Sequence, residues 1–368
     1  MSETALGSPA APAASRPAAR GSGRRVLVVG AGAIGGIVSA GLLGSGCSLT
    51  VLTTNERILR ALLAKGIRVT GKATAPSAAP FEARAELEDS TPSFDYVLLS
   101  TQPPQVDEAI AGVSRFLAPE GRVVCFQNGL CEERVARVVG RERVIGAVVA
   151  WGASMIEPGV YDRTSRGGFT LGRLDGSEDT PLRDCAHLLE TIGPVEITRN
   201  LLGARWSKLA INCAVSTLGT IGGDRLGKLM RRGFVRRLAL EIMTETVQVA
   251  RSEGVRLKKV AGTIDLDWLA LTGANREARS LELAAKHAVL AAAGFRYRRL
   301  RSSMLAAIER GRAPAVDFLN GEVVEHGAHR GIATPVNGAA RALVWKIAQG
   351  ERRSSVETLR DLYDATRR

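Results

Sequence analysis

The chain carries a glycine pattern of the kind that brings a protein backbone close to a phosphate group. Gly30-Ala31-Gly32-Ala33-Ile34-Gly35 follows the apolar run Val26–Val29 and opens a helical stretch. In such a strand–turn–helix unit the first glycine allows the tight turn, the second leaves room for a pyrophosphate, and the third lets the helix pack closely on the strand. The free N–H groups of the helix then face the phosphates. The pattern predicts a dinucleotide site; an ordinary glycine-rich turn is the alternative.

The end of the second predicted strand bears on which dinucleotide is bound. An acidic residue at that point would bond the ribose 2′-hydroxyl of NAD. This chain instead has Thr53-Thr54-Asn55 there, followed by Glu56 in the start of a helix and by Arg57. Hydroxyls, an amide and an arginine suit the 2′-phosphate of NADP better. We therefore predict NADP as the cofactor, with Thr54 and Arg57 among its contacts.

Five further polar motifs follow along the chain. They are Gln127-Asn128-Gly129-Leu130, Trp206-Ser207-Lys208-Leu209-Ala210-Ile211-Asn212, Ser302-Ser303-Met304-Leu305, Val316-Asp317-Phe318-Leu319-Asn320-Gly321 and Thr334-Pro335-Val336-Asn337. Taken singly, each has an ordinary structural explanation, such as a surface lysine, a turn Asn-Gly or a helix-capping serine. In this order, with the glycine loop first, the chain resembles the ketopantoate reductase (2-dehydropantoate 2-reductase) family over about residues 25–350.

The resemblance implies NADPH-dependent reduction of a 2-oxo acid. Lys208 matches the family's catalytic lysine, the general acid that protonates the carbonyl oxygen, and Asn128 matches an asparagine that touches nicotinamide and substrate. A lysine in a dry cleft beside another cation can have its pKa lowered towards the working range. The implied substrate-binding residues are Asn212, Ser216, Ser303 and Asn320. The implied cofactor-binding residues are the glycine loop, Thr54, Arg57, Gln102 and Asn128, and no metal site is expected.

The chain departs from the family pattern at four polar positions. Ala315 stands where the family has its active-site glutamate, and Ser216 stands where it has a second asparagine after the lysine. Thr54 replaces an arginine after the second strand, and Gln102 replaces a lysine after the fourth strand. Each charge-assisted hydrogen bond lost costs about 1.5–3 kcal/mol. Two interpretations stay open: another group such as Asp317 or Glu322 replaces the glutamate, or the pocket takes a less hydroxylated substrate.

The elements that must position these residues follow from the hydrophobic pattern. Short apolar strands alternate with helices up to about residue 150, and a hairpin is predicted from Tyr161–Arg163 and Gly168–Leu171. From Leu201 onward almost everything is typical of helices. We predict an α/β plus all-α fold: a disordered tail (1–23), an NADP-binding Rossmann domain with a doubly wound sheet (24–200) and a helical domain (201–368). The resemblance to the ketopantoate reductase family implies that the second domain is similar in fold to the C-terminal domain of 6-phosphogluconate dehydrogenase.

The composition narrows the class of protein. The 368 residues are 45% hydrophobic and 24% charged, which is typical of a soluble globular chain. The net charge of +13 is spread along the chain without interleaved aromatics, so we expect no nucleic-acid partner. No apolar run is long enough to span a membrane, and five cysteines without CxxC spacing indicate reduced thiols in the cytoplasm. A homodimer is possible.

The most favoured function is reduction of 2-dehydropantoate to pantoate with NADPH. The first alternative is a reductase of the same family that acts on a less polar carbonyl or imine. The second is an NADP-binding sensor without turnover. The segment at about 263–298 is longer than usual for the family and has no assigned role.

Overall fold

The computed structural model describes residues 23–73, 78–259, 264–273 and 280–367. The predicted disordered tail, apart from Gly23, lies outside the described residues, as does part of the 263–298 segment.

An eight-stranded sheet forms the centre of the N-terminal part of the described chain. Eight of the strands in the described residues belong to this sheet, and three form a smaller one. In chain order they are β1 (Arg25–Val29), β2 (Ser48–Leu52), β3 (Arg68–Gly71), β4 (Glu82–Arg84), β5 (Phe94–Leu99), β6 (Leu117–Cys125), β7 (Val144–Val149), β8 (Ala153–Glu157), β9 (Val160–Arg163), β10 (Phe169–Arg173) and β11 (Val195–Ile197). The large sheet has the order β11-β10-β7-β6-β5-β1-β2-β4, and β3, β9 and β8 form a second, small sheet. The doubly wound sheet of the Rossmann type is confirmed, and all its pairings are parallel except that of β10 with β7.

Helices cover both faces of the large sheet and then make up the rest of the chain. The first group is α1 (Ala33–Leu42), α2 (Glu56–Lys65), α3 (Val106–Val113), α4 (Glu132–Val139) and α5 (Thr180–Glu190). The second group is α6 (Leu201–Gly222), α7 (Leu226–Met230), α8 (Gly233–Ser252), α9 (Leu266–Leu269), α10 (Leu281–Arg296), α11 (Ser303–Ile308), α12 (Asn320–Arg330), α13 (Pro335–Ala348) and α14 (Val356–Thr366). Within the described residues, no helix is both long and apolar enough to cross a membrane.

The strand order places a crevice beside the glycine pattern. β1 pairs in parallel with β2 on one side and with β5 on the other, so the direction of winding reverses at β1. Its residues Val26, Leu27 and Val28 are fully buried, as expected of a strand covered on both faces. Ligands of doubly wound sheets bind at such a switch point, outside the carboxyl ends of the strands. We call this end of the large sheet its carboxyl edge.

The predicted hairpin is wrong. Val160–Arg163 pairs antiparallel with β8 in the small sheet, whereas Phe169–Arg173 pairs antiparallel with β7 in the large sheet. The chain already reverses at Gly159, whose φ of +76° suits glycine. At Gly167 it passes so close to β7 that a Cβ would lie 2.2 Å from the carbonyl oxygen of Ala150. The segment around Gly167 therefore leads from the small sheet to the large one and is not the turn of a hairpin.

The small sheet supports the glycine loop from behind through Tyr161. This side chain is fully buried, and its hydroxyl donates a hydrogen bond of 3.0 Å to the carbonyl oxygen of Ala31. Its ring lies against α1 at Gly36, where a Cβ would come within 2.3 Å of the ring. A residue of β9 thus fixes the loop that follows β1.

Candidate active site

The glycine loop has the shape that the sequence predicts. Gly30 has a φ of +97°, and a Cβ there would lie 3.0 Å from the backbone nitrogen of Thr101. A Cβ at Gly35 would lie 1.9 Å from the carbonyl oxygen of Gly30, so α1 packs directly on the turn. Among the described residues other than Gly32 and its two chain neighbours, no heavy atom lies within 4 Å of the position that a Cβ of Gly32 would take. The loop is therefore tight at its first and third glycines and open at its second, where a pyrophosphate needs room.

The carboxyl edge beside this loop presents two buried polar atoms that are unpaired within the described part of the chain. The buried atoms Ser100 Oγ, after β5, and Gln127 Oε1, after β6, have no hydrogen-bond partner among the described residues. Buried polar atoms are rarely left unpaired, so groups of this kind fit a site that a polar ligand completes. Together with the open second glycine, they fit a bound dinucleotide.

The remaining predicted cofactor residues lie on loops next to β1. Thr54 and Arg57 are exposed after β2, and Asn55 between them caps α2 by accepting a hydrogen bond of 3.1 Å from the Ile58 N–H. Gln102 is exposed after β5, and its backbone N–H donates to Gln105 Oε1 at 3.3 Å. The two loops follow the two strands that flank β1.

Helix α6 presents one accessible stripe from an otherwise buried surface. Between residues 203 and 222, five side chains are half-buried and all others are buried. The five are Lys208, Ile211, Asn212, Val215 and Ser216. Their spacing of three and four residues places them on one face of the helix. Three of the predicted catalytic and substrate-binding residues thus share one accessible face.

Lys208 reaches from this face to the large sheet. Its Nζ donates a hydrogen bond of 2.9 Å to the carbonyl oxygen of Val149, the last residue of β7. Burial lowers the pKa of Lys208 to about 7, the nearby Arg205 guanidinium lowers it as well, and Glu132 opposes both. A lysine with a pKa near neutrality can both donate and regain a proton at the pH of a cell.

Arg205 is a residue that sequence reasoning missed. It precedes Lys208 by three positions on α6 and donates hydrogen bonds to the carbonyl oxygens of Gln127 at 2.8 Å and Cys125 at 2.7 Å. It also forms an ion pair with Glu132 at the start of α4. In a chain with 50 lysines and arginines, nothing in the sequence distinguishes this one.

Two further contacts bring the Ser302-Ser303 motif next to α6 and the Asn128-Gly129 motif next to the segment after Ala315, around one cleft. Ser302 Oγ donates to the carbonyl oxygen of Ser216 at 2.8 Å, which brings the exposed Ser303 close to the accessible face of α6. A Cβ at Gly129 would lie 2.3 Å from the carbonyl oxygen of Phe318, so the loop of the exposed Asn128 touches the segment after Ala315. The cleft therefore lies between the carboxyl edge and the helical part of the chain.

Asn320 requires a correction. It was predicted to bind substrate, but it has no exposed surface and lies inside the helical part of the chain. Its Oδ1 accepts a hydrogen bond of 2.5 Å from Thr217, and its Nδ2 donates to Asn337 Oδ1 at 2.9 Å. A polar side chain in a core must find partners, and this amide joins α6 to α12 and α13. It supports the cleft from behind.

The two carboxylates considered as substitutes for the family's glutamate are Asp317 and Glu322. Ala315 is half-buried at the start of a short 3₁₀ helix, Ala315–Phe318. Asp317 accepts hydrogen bonds from Arg341 at 2.6 Å and from the indole of Trp345. Glu322 is 3.0 Å from Arg134 and contacts His326. Both carboxylates that could have replaced the glutamate are already engaged.

These observations define a class of protein. A Rossmann sheet with an open glycine loop faces a helical part that carries an accessible lysine with a lowered pKa, which is the arrangement of a dinucleotide-dependent oxidoreductase. Within the part of the chain described, no group of three or more His, Cys, Asp or Glu residues is placed to hold a metal ion.

The chain belongs to the ketopantoate reductase family. The model "Ketopantoate reductase PanE/ApbA" matches residues 26–176, and the model of the family's C-terminal domain matches residues 200–348. The chain is therefore a ketopantoate reductase-like oxidoreductase that acts on CH–OH groups with a nicotinamide cofactor.

Relatives in sequence and structure agree with this assignment. The 2-dehydropantoate 2-reductase of Pyrococcus horikoshii is 24% identical over 331 residues, which cover 87% of this chain and 96% of that protein. The crystal structure of a PanE/ApbA family ketopantoate reductase from Ralstonia eutropha JMP134 is 25% identical, with a TM-score of 0.73 over 89% of this chain and 99% of that one. A D-mandelate dehydrogenase solved with NADH and anilino(oxo)acetate shares the fold at 19% identity, with a TM-score of 0.73 over 89% of this chain and 98% of that one.

Proposed function

We propose that the protein reduces a 2-oxo acid with NADPH, and that 2-dehydropantoate is the most favoured substrate. The observation that carries this proposal is the half-buried amine of Lys208, whose pKa is lowered to about 7 and which faces the same cleft as Asn212 and the Asn128 loop. The names of the relatives support the substrate class. A sensor without turnover would have no need of a lysine adjusted in this way.

The chemistry divides between cofactor and chain. When bound, the dinucleotide supplies a hydride to the carbonyl carbon. The Lys208 ammonium then donates its proton to the carbonyl oxygen, which becomes the new hydroxyl, and the neutral amine regains a proton from water. Asn212, one turn further on α6, is placed to hold the substrate beside this amine, and the exposed Ser303 is placed to bind its carboxylate.

We propose NADPH as the preferred cofactor because the β2 loop offers no carboxylate to the ribose. Asn55 caps α2, and Glu56 forms an ion pair with Arg60 along the helix. Arg57 is exposed and has no ion-pair partner among the described residues, so its charge is available to a 2′-phosphate.

The decisive experiment assays a panel of 2-oxo acids with NADPH and with NADH and follows the loss of nicotinamide absorbance. Turnover of 2-dehydropantoate with NADPH supports the proposal. Binding of NADPH without turnover of any 2-oxo acid would instead support the sensor.

A second candidate substrate class is favoured by Ala315. An unpaired substrate hydroxyl buried against a methyl group costs about 1–3 kcal/mol, or roughly fivefold to 150-fold in affinity. Because Asp317 and Glu322 are engaged elsewhere, the pocket suits a 2-oxo acid without that hydroxyl. The test is Ala315→Glu on 2-dehydropantoate and on 2-oxoisovalerate, which lacks the hydroxymethyl group. This candidate requires the wild type to prefer 2-oxoisovalerate and the variant to shift towards 2-dehydropantoate.

We also propose a homodimer that pairs helix α10 with its copy. Leu281 and Phe295 are 92% and 73% exposed, although such residues are usually buried. With exposed alanines they form one apolar face of α10: Leu281, Ala285, Ala288, Ala292 and Phe295. An antiparallel pair centred on Ala288 sets each Leu281 against Phe295 of the other copy and brings Glu282 near Arg296.

Sedimentation velocity tests this dimer. Phe295→Glu should lower the dimer fraction, whereas Leu63→Glu, at an equally exposed apolar residue of α2, should leave it unchanged. A wild-type monomer at micromolar concentration would contradict the proposal. We also propose a cytoplasmic location, which the five free cysteines support because thiols stay reduced in that compartment.

A further inference from the structure

The ion pair of Arg205 and Glu132 lies deep between α6 and α4. The two residues are 2% and 3% exposed. Removing two charges from water is costly, and an apolar pair of similar volume is often as stable or more so. A buried pair is therefore weak evidence of a stabilising role, and its place in the fold is more informative.

That place is next to both proposed catalytic residues. The guanidinium of Arg205 donates to the carbonyl oxygens of Cys125 and Gln127, and Asn128 is the next residue in the chain. On α6, Lys208 follows Arg205 by three residues, which is less than one turn. A planar arginine fork with two carbonyl acceptors and one ion-pair partner thus ties the lysine-bearing turn of α6 to the asparagine-bearing loop after β6.

We propose that Arg205 and Glu132 are a positioning pair for the proposed reaction. They hold the amine of Lys208 and the Asn128 loop at a fixed separation, and they present two opposite charges to that amine. The inference rests on the proposed function, since it assigns this pair a role through Lys208.

The two charges act on Lys208 in opposite directions. Arg205 lowers its pKa and Glu132 raises it, and the effect of Arg205 is the larger. They are the charged groups that act on this amine within the described part of the chain; the group that β7 offers, the carbonyl of Val149, is uncharged. Glu132→Gln should therefore lower the pKa of Lys208 further. Arg205→Met should raise it, whether or not Glu132 keeps its charge.

The first measurement needs no turnover. The chain has only eight lysines, so ¹³Cε-labelled lysine gives a short NMR spectrum in which Lys208→Met identifies the Lys208 signal. Titration of the unliganded protein should show that signal moving to lower pH in Glu132→Gln and to higher pH in Arg205→Met, each by about one pH unit. The matched control is Glu133→Gln, an exposed neighbour paired with Arg141, which should leave the signal in place.

The second measurement is the pH profile of the reduction. Since the protonated lysine is the donor, kcat should fall as the pH rises through its pKa, and this limb should move with the NMR titration in each variant. Arg205→Lys keeps the charge but lacks the fork. It should therefore titrate close to wild type and still lose about tenfold in kcat, because the position of Lys208 is no longer fixed.

A purely structural pair predicts a different result. If the Lys208 signal moves in the same direction in Glu132→Gln and Arg205→Met, or in neither, while circular dichroism shows both folded, the proposal is overturned. Should Arg205→Met not fold, Glu132→Gln and Arg205→Lys give the same decision. Failure of the proposed function is recognised separately: wild-type turnover by Lys208→Ala would end the catalytic role of the lysine and leave the titrations unaffected.

Discussion

Gly35 sits directly on the carbonyl group of Gly30, since a Cβ on Gly35 would lie 1.9 Å from that oxygen. Gly32, between them, faces open space, and its φ of −73° is accessible to any residue. Two glycines of one motif thus have different requirements: one is needed by the fold itself, and the other is needed only when a ligand is present.

Valine substitutions should separate these requirements. Gly32→Val should fold with a Tm within a few degrees of wild type and lose binding of NADPH, because its side chain occupies the space of a pyrophosphate. Gly35→Val should lower the Tm markedly, because α1 must move off the turn. Thermal melts and fluorescence titrations measure both. Retained NADPH binding by Gly32→Val would contradict the assignment of the loop.

Loss of the Lys208 amine should affect the chemical step far more than cofactor binding. A positioned proton donor contributes about 10²–10⁴-fold, so Lys208→Ala should lose this much in kcat. NADPH affinity should change little, because Lys208 lies on α6, outside the glycine loop. Steady-state kinetics and a binding titration test this together. Lys228→Ala, at an exposed lysine paired with Asp224, is the control and should behave as wild type.

Removal of the Arg57 charge should reduce the preference for NADPH. Arg57→Ala should weaken NADPH binding by about tenfold, as expected for a charge-assisted hydrogen bond to a phosphate, and leave NADH binding nearly unchanged. Arg60→Ala, one turn further along α2 and paired with Glu56, serves as the control. Equal or tighter NADH binding by the wild type would contradict the NADP assignment.

His326 should make stability depend on pH above neutrality. Its contacts with the carboxylates of Glu322, at 3.6 Å, and of Glu253, at 2.7 Å, raise its pKa to about 9 from 6.5, so the folded state holds the proton more tightly. The stabilisation is complete below about pH 6.5 and disappears as the pH rises through about 9. His326→Gln should therefore cost about 1–2 kcal/mol in unfolding free energy at pH 6 and much less at pH 10.

Urea melts at the two pH values measure this difference. A loss of unfolding free energy of equal size at both pH values would show that the His326 ring stabilises the fold through packing and not through its charge. This packing includes an edge-on contact with Trp206, with 5.4 Å between the ring centroids.

Local patterns predict the parts of the candidate site that depend on local geometry. The turn of the glycine loop and the common helical face of Lys208 and Asn212 could be predicted because each is contained in a few residues, whereas the roles of these residues stay predictions. The pair of Arg205 and Glu132 could not, because the residues are far apart in sequence and each resembles an ordinary surface charge. Asn320 was placed in the wrong environment because a polar residue in a motif suggests a ligand, whereas its partners are two helices of the core.

The hydroxyl of Tyr161 links the glycine loop to the hairpin formed by β8 and β9, which is far from the loop in sequence. Thermodynamic coupling is reciprocal. A ligand that binds only to the well-formed glycine loop must therefore also stabilise the conformation of β8 and β9 that supports this loop. Amide protons of β8 and β9 should consequently exchange with deuterium more slowly once the dinucleotide is bound, although neither strand lies at the carboxyl edge. The small sheet would then act as a reporter of cofactor occupancy, readable without any substrate.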